Sequence, residues 1–216
     1  MSIRTYSFTA AGGHPVNEDA FVLRPLPGST DDWFVVLADG QGGRAGGARA
    51  AQLACQTVSE CVRTSPGTLF GDSYSWFEML TRTDTAVAAD REAGFTTLVA
   101  LSVEGDYLSG ASCGDSAAVA VSGGSAPRVV TSRQFKNPPV GCGDATFVPF
   151  ELELVRPWRV LVMSDGVWKY ASWDRVWDCA VRLSGEELIA ELQTAARLKT
   201  TGEFQDDFTV VLLESE

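Results

Sequence analysis

At 216 residues, with 45% hydrophobic and 10% aromatic residues, the chain suits one domain, taken as residues 1–216, with a sizeable core, and it is too apolar to be disordered. Its 17 Lys and Arg stand against 28 Asp and Glu, a formal charge of −11, which argues against nucleic acid as a partner, since sequence-independent binding needs a cationic face to displace counterions. No apolar run approaches the roughly 18–20 residues of a membrane-spanning helix, so no membrane association is expected. The first residues lack the pattern of a signal peptide. Five cysteines without a C-x-x-C pair read as reduced thiols of a cytoplasmic protein, and a single histidine, His14, argues against zinc.

In chain order, strands are predicted at residues 20–24 and 33–38, β-prone runs separated by the turn formers Pro25, Pro27 and Gly28. From residue 46 to 63, Ala51, Ala54, Cys55, Val58 and Val62 recur at helical spacing. A second helix follows from residue 74 to about 90, with Trp76, Leu80 and Val87 inward and Ser75 and Glu78 as a capping box at its start. The middle is β-rich, with strands at 95–103, 107–112, 117–122 and 128–132 and hairpin turns at Gly105-Asp106 and Gly123-Gly124. A further pair, 146–154 and 158–163, is broken at Arg156-Pro157. Helices at 173–182 and 186–198, capped by Ser172 and Ser184, lead to a closing apolar strand at 208–213. Runs of adjacent strands with helices gathered in separate groups predict an α+β layered sandwich with antiparallel sheets.

Four acids share one placement. Asp39 ends the run Trp33-Phe-Val-Val-Leu-Ala and precedes Gly40; Asp165 follows Val160-Leu-Val-Met-Ser and precedes Gly166. Asp115 stands in Gly114-Asp115-Ser116 after a strand, and Asp206 lies just ahead of the last strand. If that last strand runs antiparallel to the others, all four gather at one edge, where their mutual repulsion is costly without a cation. Oxygen ligands without a Cys or His cluster select the hard cations Mg²⁺ or Mn²⁺. A glycine after the acid lets a backbone carbonyl approach such an ion. Any single Asp-Gly after a strand is more often a plain turn, and the pattern alone leaves that reading open beside a divalent-metal site.

The ordered motifs resemble those of the metal-dependent protein phosphatases, the type 2C serine/threonine phosphatases, in a short bacterial form. Asn17-Glu18-Asp19-Ala20 is similar to the family's N-E-D element, and Ala38-Asp39-Gly40-Gln41-Gly42-Gly43, with Gly46-Gly47 behind it, to its D-G-x-G-G motif. Gly94-Phe95-Thr96-Thr97 and Gly114-Asp115-Ser116 resemble its G-T-T and G-D-S elements. Ser164-Asp165-Gly166-Val167 and Asp206-Asp207-Phe208-Thr209 resemble its last two. The resemblance implies a four-layer α/β/β/α sandwich, two central antiparallel β-sheets flanked by helices, with a binuclear Mn²⁺ or Mg²⁺ centre at one edge. It implies that Asp39 bridges both ions, that the Gly40 carbonyl binds one, that Asp165 and Asp206 hold the other, and that Glu18 acts through water. Asp115 matches the ligand of a third, weaker ion. The implied reaction, carried by Asp39, Asp165 and Asp206, is in-line attack of metal-activated water on phosphoserine or phosphothreonine of a phosphorylated protein substrate, in signal transduction. The protein is expected to be a monomer.

The sequence departs from that pattern in places. Where the family commonly carries a phosphate-gripping arginine, four residues before the Glu, this chain has His14, which offers at most two donors. Gln41 stands where some members have a histidine proposed as general acid. The segment between Asp115 and Asp165 is short, which predicts a reduced substrate-selecting flap, with residues 133–144 either lining the entrance or simply connecting strands. Trp168, Tyr170, Trp173 and Trp177 are either an interaction surface or the packing of a short helix. No C-x5-R loop supports a cysteine mechanism. The competing readings are a small-molecule phosphatase with the same site and a non-catalytic phosphoprotein-binding regulatory module.

Overall fold

The computed structural model describes residues 3–42, 45–64 and 73–215. Its elements, in chain order, are β1 (Arg4–Ala10), β2 (Asp19–Pro25), β3 (Trp33–Asp39), α1 (Gly47–Thr64), α2 (Ser73–Ala89), β4 (Leu98–Glu104), β5 (Tyr107–Cys113), β6 (Ala117–Ser122), β7 (Arg128–Val129), β8 (Val148–Glu153), β9 (Trp158–Met163), α3 (Asp165–Ala171), α4 (Trp173–Arg182), α5 (Gly185–Ala196) and β10 (Phe208–Glu214). Among the described residues the strands form two five-stranded antiparallel sheets, ordered β2-β3-β4-β5-β8 and β1-β10-β9-β6-β7.

Period-two alternation sorts the side chains into layers. Along β3, Val35 and Leu37 point between the sheets, and Phe34, Val36 and Ala38 point at α1 and α2. In the other sheet Val160, Val162, Val211 and Leu213 face inward, while Leu161, Met163, Val210 and Leu212 meet α3, α4 and α5. A strand covered on both faces must be apolar throughout, which is why these segments read as unbroken hydrophobic runs. The result is the expected α/β/β/α sandwich. Trp76 on α2 closes one layer by donating its indole N–H to Ser109 Oγ at 3.1 Å, and Trp158 is buried between the sheets.

Several local expectations change. β1 is an additional strand, paired with β10 along the edge, and only its Tyr6, Phe8 and Ala10 pack on the helices, so its polar alternate residues hide it. Asp165 does not sit in a turn but opens α3, a helix absent from the sequence expectation. The strand expected at 95–103 starts at Leu98, and those expected at 128–132 and 146–154 are shorter. Because α2 starts at Ser73, Ser75 lies inside its first turn and cannot cap it. Ser184 makes no capping bond, and Ser172 accepts from Arg175 N only at 3.4 Å. The Gly105-Asp106 turn joins β4 to β5 as expected, with Gly105 at φ +58°. Trp168, Trp173 and Trp177 stack in series and pack against the helix layer, the packing alternative. All five cysteines are free. No helix among the described residues is long and apolar enough to cross a membrane.

Candidate active site

The acids reach one edge from both sheets. In the first, β3 ends on Asp39, directly opposite Asp19 of β2. Asp39 is pinned through its backbone, because its N–H donates to Thr97 Oγ1 at 3.0 Å while its carbonyl accepts from Thr97 N at 2.9 Å and Thr96 Oγ1 at 2.9 Å. The chain then turns at Gly40, whose N–H donates to the Glu18 carbonyl at 3.1 Å. A Cβ on Gly40 would stand 2.5 Å from the Gly47 carbonyl and 2.7 Å from that of Glu18, so glycine is required for α1 to start here. In the second sheet, the antiparallel pairing of β9 with β10 brings Asp165, just past one strand, beside Asp206, just ahead of the other. Asp115 enters from the β5–β6 connection, where Gly114 at φ +122° packs on Thr97.

Together these segments enclose a cavity of about 350 Å³ whose walls include Glu18, Asp39, Gly40, Asp115, Asp165 and Asp206. Burial raises the Asp39 carboxyl well above its ordinary value, and repulsion from Asp19, Asp165, Asp115 and Asp206 adds to it. Asp165 is raised by burial too, against the pull of its ion pair with Lys169. Burial pushes Asp19 up to about 7 against the nearby Thr209 and Ser164 hydroxyls, with Asp207 and Asp165 adding repulsion. Those hydroxyls are otherwise engaged: Ser164 Oγ donates to the Asp207 carbonyl at 3.4 Å, and Thr209 Oγ1 shares a hydrogen bond with Thr9 Oγ1 at 2.8 Å. Neither oxygen of Asp19 has a hydrogen-bond partner. Among the described residues no three His, Cys, Asp or Glu side chains form a closed metal cage; the carboxylates face a common space rather than one point. An all-oxygen set of mutually repelling, partly orphaned carboxylates fits hard divalent cations, and nothing in it suits a softer metal.

Residues 12–199 match the family model Protein phosphatase 2C. The chain belongs to that family. Membership makes it a serine/threonine protein phosphatase of a metal-dependent class. The fold agrees. A bacterial serine phosphatase superposes with a TM-score of 0.83 at 20% identity, covering 100% of both chains. Serine/threonine phosphatase Stp1 from Staphylococcus aureus gives 0.81 at 18% identity, covering 100% of this chain and 96% of its own. The Mycobacterium tuberculosis serine/threonine phosphatase PstP/Ppp gives 0.76 at 21%, covering 100% of both. No curated protein matches the chain in sequence.

In this phosphatase the cavity gathers every acid singled out by the sequence. His14, exposed, lines the same cavity, and Gly42 separates it from Glu18: a Cβ there would stand 3.6 Å from His14 Nε2 and 3.4 Å from Glu18 Oε2. Gln41 lies on the wall as well; Gly43 is outside the described residues. The 133–144 segment contributes Lys136, Asn137 and Pro139 to the lining, which favours the entrance alternative over a mere connection. The sequence does not single out three residues of the lining, Asp207, Lys136 and Lys169, nor Asp19 opposite Asp39. Asp207 is a tie rather than a free acid, its carboxylate accepting from Gly12 N at 2.9 Å and Glu18 N at 2.6 Å, so β10 holds the Glu18 segment in place. Lys136 is ion-paired with Asp115 and Lys169 with Asp165. Lys169 stands at i+4 from Asp165, a relation that exists only because residues 165–171 are helical.

Proposed function

We propose that this phosphatase hydrolyses phosphoserine and phosphothreonine in proteins with water activated by two Mn²⁺ or Mg²⁺ ions, working as a single cytoplasmic, monomeric catalytic domain. The observation that carries the reading is the delivery of Asp39 by one sheet and of Asp165 and Asp206 by the other to a shared cavity, where burial first and the surrounding acids second raise the Asp39 carboxyl. Asp39 would hold both ions, the Gly40 carbonyl one of them, Asp165 and Asp206 the other, and Glu18 would act through water. Bound divalent ions lower the pKa of water and offset charge on phosphoryl oxygens. The chain's own part is to fix the acids: the Thr96 and Thr97 hydroxyls and amide lock Asp39, and Asp207 locks the Glu18 backbone. His14, exposed on the wall of the same cavity, would add at most two donors for the substrate phosphate.

The test is hydrolysis of p-nitrophenyl phosphate and of phosphopeptides under Mn²⁺, beside a panel of phosphorylated metabolites. EDTA and Asp39→Asn should each abolish turnover, with a loss of at least about a thousandfold for the variant, since an ion's charge stabilisation is worth several kcal/mol. No hydrolysis with any divalent metal would leave a phosphoprotein-binding module, and turnover of metabolites alone would leave a small-molecule phosphatase.

A further inference from the structure

The acidic cavity also contains two ammonium groups. Lys136, carried by the 133–144 segment and 66% exposed, pairs its Nζ with Oδ2 of Asp115. Lys169, one helical turn beyond Asp165 on α3, pairs with Oδ2 of that residue. Lys169 lines the cavity together with Asp115 and Asp206 as well as Asp165, so several acids share its surroundings.

Charge balance gives these lysines a role. Glu18, Asp39, Asp115, Asp165, Asp206 and Asp207 all line the cavity. The two divalent ions proposed above would offset four of these six charges, leaving two negative charges to face an arriving phosphate dianion. Repulsion in a partly enclosed cavity is stronger than in bulk water. An imidazole at position 14 brings at most two donors, against the five of a guanidinium. Lys136 and Lys169 supply the two missing positive charges. A lysine offers three donors on a flexible stem, and an ion pair as exposed as that of Lys136 is weak enough for a ligand to compete for the ammonium.

We propose that Lys136 and Lys169 are the residues that recognise the substrate's phosphate group, taking the role that an arginine at position 14 would otherwise fill. The proposal rests on the phosphatase reading of the cavity, and it is tested on the full chain by two separate measurements. One is binding of inorganic phosphate in saturating Mn²⁺, followed by calorimetry; the other is the kinetics of p-nitrophenyl phosphate. Lys136→Gln and Lys169→Gln should each raise KM and the phosphate dissociation constant roughly three- to tenfold, and the double variant by more than about tenfold, with kcat reduced less than about threefold. Lys136→Arg should restore most of the binding. Mn²⁺ affinity, read from the spin-resonance signal of the free ion without phosphate, should be unchanged or tighter in the variants. Unchanged KM and phosphate affinity in the double variant would overturn the proposal, and so would a loss confined to kcat or weaker Mn²⁺ binding. If the wild-type chain turns over nothing yet binds phosphate through these two lysines, the hydrolase reading falls and the phosphate site stands.

Discussion

Asp19 is a carboxyl buried opposite Asp39 with no donor for either oxygen. The folded chain keeps its proton up to about pH 7, whereas the unfolded chain releases it near the ordinary 3.8. Between those values the native state binds more protons than the unfolded state, so stability from this group is fully present below the unfolded value and is lost as pH rises through the folded one. In EDTA, urea unfolding should therefore show stability falling from pH 5 to pH 7 by up to about 1.4 kcal/mol per pH unit for this group. Asp39, raised in the same direction, adds to the slope. Asp19→Asn should flatten the slope and stabilise the protein at pH 8; a wild-type profile that is flat or rises over this range would contradict the burial argument. The same residue marks what single positions disclose. Acids at strand ends could be picked out by their neighbours in sequence, but Asp19 shows its character only when β2 and β3 are paired.

At the level of elements, the 133–144 segment is held by a helix rather than left as a free loop. Asp84, on α2 and buried, accepts from Gly141 N at 2.6 Å, Gly143 N at 3.3 Å and Ala145 N at 3.0 Å. Gly141 at φ +102° and Gly143 at φ +82° let alternate amides turn toward that one carboxylate, a concave anion site made by the chain's own backbone. Asp84→Ala would strand these donors, at a cost of about 3 kcal/mol in the free energy of urea unfolding, given the strength of hydrogen bonds to charged groups. It should also raise KM by loosening the segment that carries Lys136, while Asp84→Asn, keeping one acceptor, should lose less of both. A change below about 0.5 kcal/mol, the range of neutral surface substitutions, would show that this anion site does not anchor the segment. The sequence displayed this segment as Pro- and Gly-rich but could not reveal its anchor, because the partner lies 57 to 61 positions away.

For the whole molecule, burial explains which parts could be read in advance. β3, β4, β9 and β10 are sandwiched between layers and so announce themselves as apolar runs. The edge strand β1, half-exposed, and the short α3, which begins at an Asp-Gly pair, carried no comparable signal. Nor could spacing alone divide the strands between two sheets, although that division gives the site its leverage. Asp39 belongs to the sheet centred on β4, and Asp165 and Asp206 flank strands of the sheet that contains β9 and β10. An ion held by both groups would tie the sheets together at one edge, so its binding should stabilise the global fold and not only the rim. For an ion that binds the native state alone, the gain is about 2.7 kcal/mol at a hundredfold excess over its dissociation constant. Urea unfolding followed by tryptophan fluorescence reports on both halves, since Trp76 lies beneath the first sheet and Trp158 between the two. Mn²⁺ should raise the midpoint in a single transition, with the slope against urea unchanged, and Asp39→Asn should lose that increment despite folding at least as well in EDTA. A midpoint indifferent to Mn²⁺, or one that moves only a minor early phase, would mean that the two sheets share no ion, and the division of ligands between Asp39 and the Asp165–Asp206 pair would have to be abandoned.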